Sequence, residues 1–153
     1  MKRKNFFNIF FIFFIFLLDR ISKFAFINLV KKHSISEYEI TSFLRFNLIW
    51  NDGIAFGLFS LNDKFYYNAI SVIIIFVILI ILFFMFKAKG TEKFAFTMVL
   101  GGSLGNIFDR LLYSSVPDFI DLHFNNFNWF IFNVADIFIS LGVILLIYLE
   151  FFK

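Results

Sequence analysis

The chain has 153 residues, of which 61% are hydrophobic, 24% are aromatic and only 16% are charged. In soluble domains about a quarter of the residues are charged, so the composition excludes an ordinary soluble domain and indicates a membrane protein. The net charge of +3 is small, and the basic residues are scattered between the apolar runs, which argues against a nucleic-acid partner.

Four apolar runs are long enough to cross a bilayer as helices, since a core of ~30 Å needs about 20 residues. They cover roughly residues 6–27, 67–86, 94–113 and 130–149. The first run follows three basic residues, as in a signal peptide, but no small-residue cleavage site comes after it. We therefore expect a retained helix and a single membrane-embedded domain over residues 1–153.

The distribution of basic residues predicts the orientation of these spans. The basic residues at the ends of the runs fall into two groups on opposite sides of the membrane. One group is Lys2, Arg3, Lys4, Lys87, Lys89, Lys93 and Lys153, and the other is Lys31, Lys32, Arg45 and Lys64. The first side is cytoplasmic by the positive-inside rule, so both termini are expected inside and two segments, 28–66 and 114–129, outside. TSFLRFNLIW in the longer segment favours short strands. The predicted fold class is an all-α membrane protein with a small β-containing segment between helices 1 and 2.

The first span contains an acid and a base four residues apart. Asp19 and Lys23 share one helix face and are expected to form an ion pair, which lowers the cost of placing either in the membrane. A structural role is favoured over direct catalysis. Arg20 lies off this face and is expected to extend to the interface.

The third span contains GGSLGNIFDR, residues 101–110. Gly101 and Gly105 form a small-xxx-small pair that favours close helix packing. Asn106, Asp109 and Arg110 place an amide, an acid and a cation near the outer end of the span. Adjacent residues diverge by about 100° around a helix, so Asp109 and Arg110 are expected to bond to other elements rather than to each other.

Three further acids lie near the start of the fourth span. DFIDLHF alternates as a strand would, so Asp118 and Asp121 should face opposite sides and only one can point into a given site. Asn133, Asp136 and Ser140 follow at i, i+3 and i+7, which is one helical stripe. Asp136 is expected about two turns inside the outer boundary, within reach of the preceding loop.

A pair of acids made of Asp136 and one of these loop acids could hydrolyse an amide bond with water. Two close carboxylates share one proton, so that one accepts a proton from water while the other polarises the carbonyl. This chemistry needs no thiol, metal or other cofactor, and the chain has no cysteine and no zinc-like histidine spacing. The alternative from the residues alone is that the acids only neutralise Arg110 and Lys23 inside a helix bundle.

The sequence resembles lipoprotein signal peptidase, also called signal peptidase II, a family of bacterial aspartyl proteases of the cytoplasmic membrane. Five motifs carry the resemblance, in order and over nearly the whole chain. They are D-R-I-S-K at 19–23, N-D-G-I-A-F at 51–56, G-N-I-F-D-R at 105–110, V-P-D-F-I at 116–120 and F-N-V-A-D at 132–136. The family often has threonine after the first asparagine of the second motif, where this chain has Asp52.

The resemblance implies a catalytic dyad of Asp118 and Asp136, which decides against Asp121. It also implies supporting roles for Asp19, Lys23, Asn51, Gly53, Asn106, Arg110 and Asn133. Asp109, which lies with Asn106 and Arg110 near the outer end of the third span, is counted as a further supporting residue. The implied substrate is a prolipoprotein whose cysteine carries a diacylglyceryl group, cleaved just before that cysteine. A monomer in contact with membrane lipids is expected, in the bacterial inner membrane, with its active site near the outer face.

Three rival functions remain open from the sequence. Asp19, Asp109 and Asp136 could form a proton or ion relay in a small transporter, although inverted repeats and broken helices are missing from the sequence. Ser103 with His123 could form an intramembrane serine protease, which the loop position of the histidine disfavours. A purely structural membrane bundle is the third.

Overall fold

A computed structural model of the chain describes residues 2–33, 37–53, 64–124 and 127–152. The described part contains four helices and four strands. In chain order they are α1 (Lys2–His33), β1 (Glu37–Thr41), β2 (Leu44–Asn51), α2 (Lys64–Lys87), α3 (Gly90–Tyr113), β3 (Val116–Phe124), β4 (Phe127–Phe132) and α4 (Val134–Phe151). Residues 54–56, the end of the N-D-G-I-A-F motif, lie outside the described residues.

Two helices have the length and composition of membrane spans. Asn68–Lys87 in α2 has a mean hydropathy of 3.4, and Val134–Phe151 in α4 has one of 2.2. Only 6% of the α2 segment is buried within the protein, so residues such as Phe76 present large apolar surfaces to the surroundings. An apolar surface of this extent marks contact with a membrane or another apolar partner.

Helix α3 packs against each of the other three helices. Its glycines permit close approach on two sides. A Cβ at Gly101 would lie 2.9 Å from the Cβ of Ile15 in α1, and one at Gly102 would lie 2.5 Å from the carbonyl oxygen of Ala135 in α4. Any larger side chain would push these helices apart, so the predicted close packing at Gly101 is confirmed.

The strands form one antiparallel sheet in the order β1-β2-β3-β4. β1 and β2 follow α1, whereas β3 and β4 connect α3 to α4, so both predicted outer segments contribute to the sheet. The strand predicted for DFIDLHF is confirmed, and so is a helical fold with a small sheet. The predicted restriction of β structure to the segment between helices 1 and 2 is wrong, because β3 and β4 lie between α3 and α4. Because Asn51 pairs with Val116 and Ile49 with Asp118, the end of β2 lies beside the acid-bearing strand.

The fourth helix begins later than predicted. Phe130 to Phe132, expected at the start of the span, lie in β4, where Phe130 pairs with Leu122 and Phe132 with Ile120. A short run of apolar residues fits a strand or a buried helix equally well, so periodicity could not separate the two. Asn133 then caps α4 and sets its first residue at Val134.

Candidate active site

Asp118 is a buried residue of β3 that is held by two side-chain amides. Asn51, at the end of β2, donates from Nδ2 to Asp118 Oδ2 at 2.8 Å, and Asn133 donates from Nδ2 to Asp118 Oδ1 at 2.5 Å. Both partners are neutral. The carboxyl group is therefore fixed in position without being paired to a cation in the described part of the chain.

Asp136 lies in the first turn of α4 and is fixed by the capping of that helix. The Asn133 side-chain oxygen accepts from the Asp136 N–H at 3.1 Å, and the Asn133 N–H donates to Asp136 Oδ2 at 3.2 Å. This reciprocal capping box satisfies two backbone donors of the helix start. Asn106 of α3 donates from Nδ2 to Asp136 Oδ1 at 2.8 Å. Asn133 thus contacts both acids, and Asn106 links Asp136 to α3.

The two acids line one cavity of about 220 Å³. Its polar lining consists of Asn51, Asn106, Arg110, Asp118, Asn133 and Asp136, with Ser103 and Ser140. All three of the amides that bond to the acids are in this set. The cavity is therefore a common space in which a water molecule and an amide bond could meet both carboxyl groups.

The pKa of the Asp118 carboxyl is raised from its ordinary value of 3.8 to about 6. Burial is the largest cause, because it penalises the charged form, and the negative charge of Asp136 acts in the same direction. Hydrogen bonds from Asn51 and Asn133 lower the pKa in part. The result is an acid that can hold or release a proton near neutral pH, as a general acid or base must.

The loop after β2 is attached to the rim of this cavity. The Gly53 N–H donates to Asn51 Oδ1 at 2.9 Å, so the Asn51 side chain forms a local turn and its amide nitrogen faces Asp118. Arg110 Nη2 donates to the Gly53 carbonyl oxygen. Arg110 therefore holds the loop against α3, and the predicted supporting positions of Asn51, Gly53 and Arg110 meet in one place.

A second buried cluster, the α1–α3 ion cluster, consists of Asp19, Arg20, Lys23 and Asp109. Lys23 Nζ lies 2.9 Å from Asp19 Oδ2 and 2.7 Å from Asp109 Oδ2. Arg20 donates to both acids, at 2.7 Å to Asp19 Oδ2 and 2.5 Å to Asp109 Oδ2. Two acids and two bases neutralise one another, which confirms the predicted pairing of Asp19 with Lys23.

This ion cluster is connected to the acid-bearing elements. Lys23 Nζ donates to Asn106 Oδ1 at 2.9 Å, which turns the Asn106 amide nitrogen toward Asp136. Asp19 Oδ1 accepts from the backbone N–H of Ala135 at 3.0 Å, at the start of α4. A Cβ at Gly105 would lie 2.6 Å from Asp19 Oδ2, so only glycine leaves room for this carboxylate between the helices.

Several predictions from the sequence can be compared with these contacts. Asp109 bonds to α1 and Arg110 bonds to the loop, so the expectation that they bond to other elements is confirmed. Asp118 and Asp121 do face different partners, since Asp121 is paired with Arg45 at 2.5 Å. The expectation for Arg20 is wrong: its guanidinium turns inward to the acids instead of extending to the interface, and it lies 5.1 Å from the Phe108 ring.

The structure also bears on the rival sites. Ser103 lines the cavity, but His123 is not among the lining residues, so the two are not brought together there. Of the three acids of the relay hypothesis, Asp19 and Asp109 are paired with cations, whereas Asp136 forms no ion pair with any residue that the structure describes. The sequence reasoning missed Arg20 as a member of the ion cluster. Its position beside Asp19 was the available signal, but one residue of sequence separation suggested a different face.

Known proteins share both the sequence and the fold. The family model described as signal peptidase (SPase) II matches residues 11–152. A lipoprotein signal peptidase of Pelagibacter ubique is 46% identical, over 97% of this chain and 90% of its own length. One of Thermodesulfovibrio yellowstonii is 38% identical over 86% of each chain. A solved bacterial membrane enzyme has a TM-score of 0.77 at 26% identity, covering 94% of this chain and 87% of its own.

Proposed function

The chain belongs to the signal peptidase II family, and from this premise we propose that it is an aspartic endopeptidase that processes lipoproteins. Its substrate is a prolipoprotein whose cysteine carries a diacylglyceryl group, and the bond cleaved is the amide just before that cysteine. Asp118 and Asp136 are the catalytic residues. The observation that carries this proposal is that both acids line one cavity and that, among the described residues, only neutral groups, three side-chain amides and one backbone N–H, are seen to bond to them.

The reaction uses one proton shared by the two acids. The ionised carboxylate accepts a proton from water as the water oxygen attacks the scissile carbonyl, and the protonated acid donates a hydrogen bond to the carbonyl oxygen. When the tetrahedral intermediate collapses, the C–N bond breaks and the new amine of the cysteine takes the proton that water gave up. Burial strengthens the coupling between the two carboxyl groups, so they titrate as a unit.

The amides around the acids suit this chemistry. A lysine or arginine in contact with Asp118 would hold it ionised and remove the shared proton. Asn51, Asn106 and Asn133 instead fix the positions of the carboxyl groups while leaving their charge free to change. Asn133 contacts both acids, so it also sets their relative position.

We further propose that all four helices span the bacterial inner membrane, with both termini in the cytoplasm, in one domain that acts as a monomer. The short α2–α3 connection, with Lys87 and Lys89 beside it, supports a cytoplasmic turn. The sheet then lies at the outer face. A lipid-anchored cysteine would keep its acyl chains in the bilayer and present its peptide bond near that face, where Asp118 and Asp136 lie.

The test is cleavage of a diacylglyceryl-modified prolipoprotein by the purified protein in lipid. Asp118→Asn and Asp136→Asn should each lower kcat by about 10³-fold or more, because each removes one partner of the proton exchange. Asp121→Asn is the matched control, since this acid lies on the same strand but pairs with Arg45. Retained cleavage in either dyad variant, or no cleavage by the unmodified protein, would overturn the proposal.

A further inference from the structure

The cavity continues past the acids into a part lined by two hydroxyl groups. Ser103 lies three residues before Asn106 in α3, and Ser140 lies four residues after Asp136 in α4; both line the cavity. The helices run antiparallel, since Gly102 packs on Ala135 whereas Val99 packs on Gly142. At 1.5 Å per residue the serines lie about 4.5 and 6 Å further from the sheet than Asn106 and Asp136.

Neither hydroxyl group forms a hydrogen bond with another residue in the described part of the chain. Serine and threonine in helices often donate back to a carbonyl of the preceding turn, as Thr97 does to Lys93 at 2.8 Å. Beside the serines the wall is apolar, formed by Ile74 of α2 and Ile139 of α4. Two unpaired donors in an apolar wall are suited to a ligand that brings its own acceptors.

We propose that Ser103 and Ser140 form a binding subsite for carbonyl oxygens of the substrate on the side of the scissile bond that enters the membrane. The inference rests on the proposed function and adds the part of the substrate that these residues recognise. A peptide that crosses the membrane as a helix must leave the helix to bring one bond to the acids. Its freed carbonyl groups then lack hydrogen-bond partners in an apolar medium, which is strongly unfavourable.

The spacing of the subsite fits this part of the substrate. An extended peptide advances about 3.3 Å per residue, so a distance of about 4.5–6 Å from the level of the acids corresponds to one or two residues. The carbonyl groups within reach therefore belong to the last residues of the signal peptide. Ester carbonyl groups of the diacylglyceryl chains enter the membrane at a similar depth and present the same acceptor chemistry.

The experiment compares two double variants of equal shape. Ser103→Thr with Ser140→Thr keeps both hydroxyl groups, whereas Ser103→Val with Ser140→Val replaces each with a methyl group. We expect kcat/KM for the lipidated prolipoprotein to be about 10- to 100-fold lower in the valine variant, as for two lost hydrogen bonds. If the larger side chains slow both the threonine and the valine variants, the double variant Ser103→Ala with Ser140→Ala is compared with the unmodified protein instead. That pair also differs in the two hydroxyl groups. The pH profile should be unchanged, because the hydrogen bonds seen to the two acids come from Asn51, Asn106 and Asn133 and not from the serines.

A second substrate distinguishes the two sources of carbonyl groups. A prolipoprotein with ether-linked alkyl chains has no ester carbonyl but keeps its peptide carbonyls. If the threonine and valine variants still differ on it, the peptide is the partner; if the difference disappears, the esters are. The subsite would be overturned if, on the ester substrate, kcat/KM were equal for the threonine and valine double variants and equal for the unmodified protein and the alanine double variant. Absence of cleavage by the unmodified protein would instead overturn the proposed function, and this inference with it.

Discussion

The acids of the ion cluster and the acids of the cavity differ in the groups that donate hydrogen bonds to them. Asp19 and Asp109 accept hydrogen bonds from the cationic groups of Lys23 and Arg20, and those to Asp109 tie α1 to α3. Asp118 and Asp136 accept hydrogen bonds from amides and from a backbone N–H. Both pairs are buried, so burial alone does not make an acid reactive. The nature of the hydrogen-bond donor decides whether the acid is structural or able to exchange a proton.

The largest effect on stability should come from removing an acid of the ion cluster. Asp19→Ala leaves Lys23 and Arg20 with fewer acceptors and removes the acceptor for the Ala135 N–H, so we expect a loss of about 3–5 kcal/mol. Asp118→Ala should cost clearly less, because no cation is left unpaired. Thermal unfolding in lipid would measure both. Equal losses would remove the distinction between the clusters.

Asp19→Asn sharpens that comparison as a matched variant. It can still accept from the Ala135 N–H but carries no charge for Lys23. If its stability resembles that of Asp19→Ala, the ion pair carries the effect. If its stability resembles that of the unmodified protein, the hydrogen bond to α4 does.

The pH dependence of stability should report the raised pKa of Asp118. The pKa of Asp118 is raised to about 6, so the folded state binds this proton more tightly than the unfolded state does. The stabilising contribution of the protonated Asp118 is therefore fully present below about pH 4 and is lost as the pH rises toward about 6–7. The difference between 3.8 and about 6 corresponds to roughly 3 kcal/mol in the free energy of unfolding. Between pH 4 and pH 7, the stability of the Asp118→Asn variant relative to the unmodified protein should rise by up to this amount. The difference in Tm between the two proteins at each pH measures it. A difference that stays constant with pH would contradict the raised pKa.

The two cations of the ion cluster should differ in their effect on activity. Arg20→Met and Lys23→Met each remove one cation, and each should lower stability by about 1–3 kcal/mol. Only Lys23 also bonds to Asn106, which bonds to Asp136. We therefore expect Lys23→Met to lower kcat about tenfold and Arg20→Met to leave it within about twofold. The reverse order would show that the path through Asn106 does not position Asp136.

The smallest effect is expected at the exposed side of the sheet. Glu37 accepts from Arg45 at 2.7 Å, but its side chain is half exposed, and Arg45 is also held by Asp121. Glu37→Gln should therefore change the free energy of unfolding by less than about 1 kcal/mol, and less in high salt. A larger loss would mean that ion pairs at the surface of this protein contribute as much as those in its interior.

Much of the site could be predicted from local patterns. The i, i+4 spacing of Asp19 and Lys23 placed them on one face, and alternation in β3 separated Asp118 from Asp121. Arg20 could not be placed in this way, since its partner Asp109 is 89 residues away and comes close only through the packing of α1 on α3. The strand at Phe130–Phe132 was missed for a related reason: β3 supplies its hydrogen-bond partners.

The sequence by itself determined the apolar runs, the positions of the acids along them and the family, because composition, spacing and motif order are properties of the chain. The tertiary structure decided which groups face each acid. Asn51, Asn106 and Asn133 come from three separate elements, and they meet the two acids only when the sheet and the helices are assembled. In the folded protein, burial raises the pKa of Asp118 and the hydrogen bonds from Asn51 and Asn133 lower it in part, because the carboxyl group has exchanged water for these surroundings.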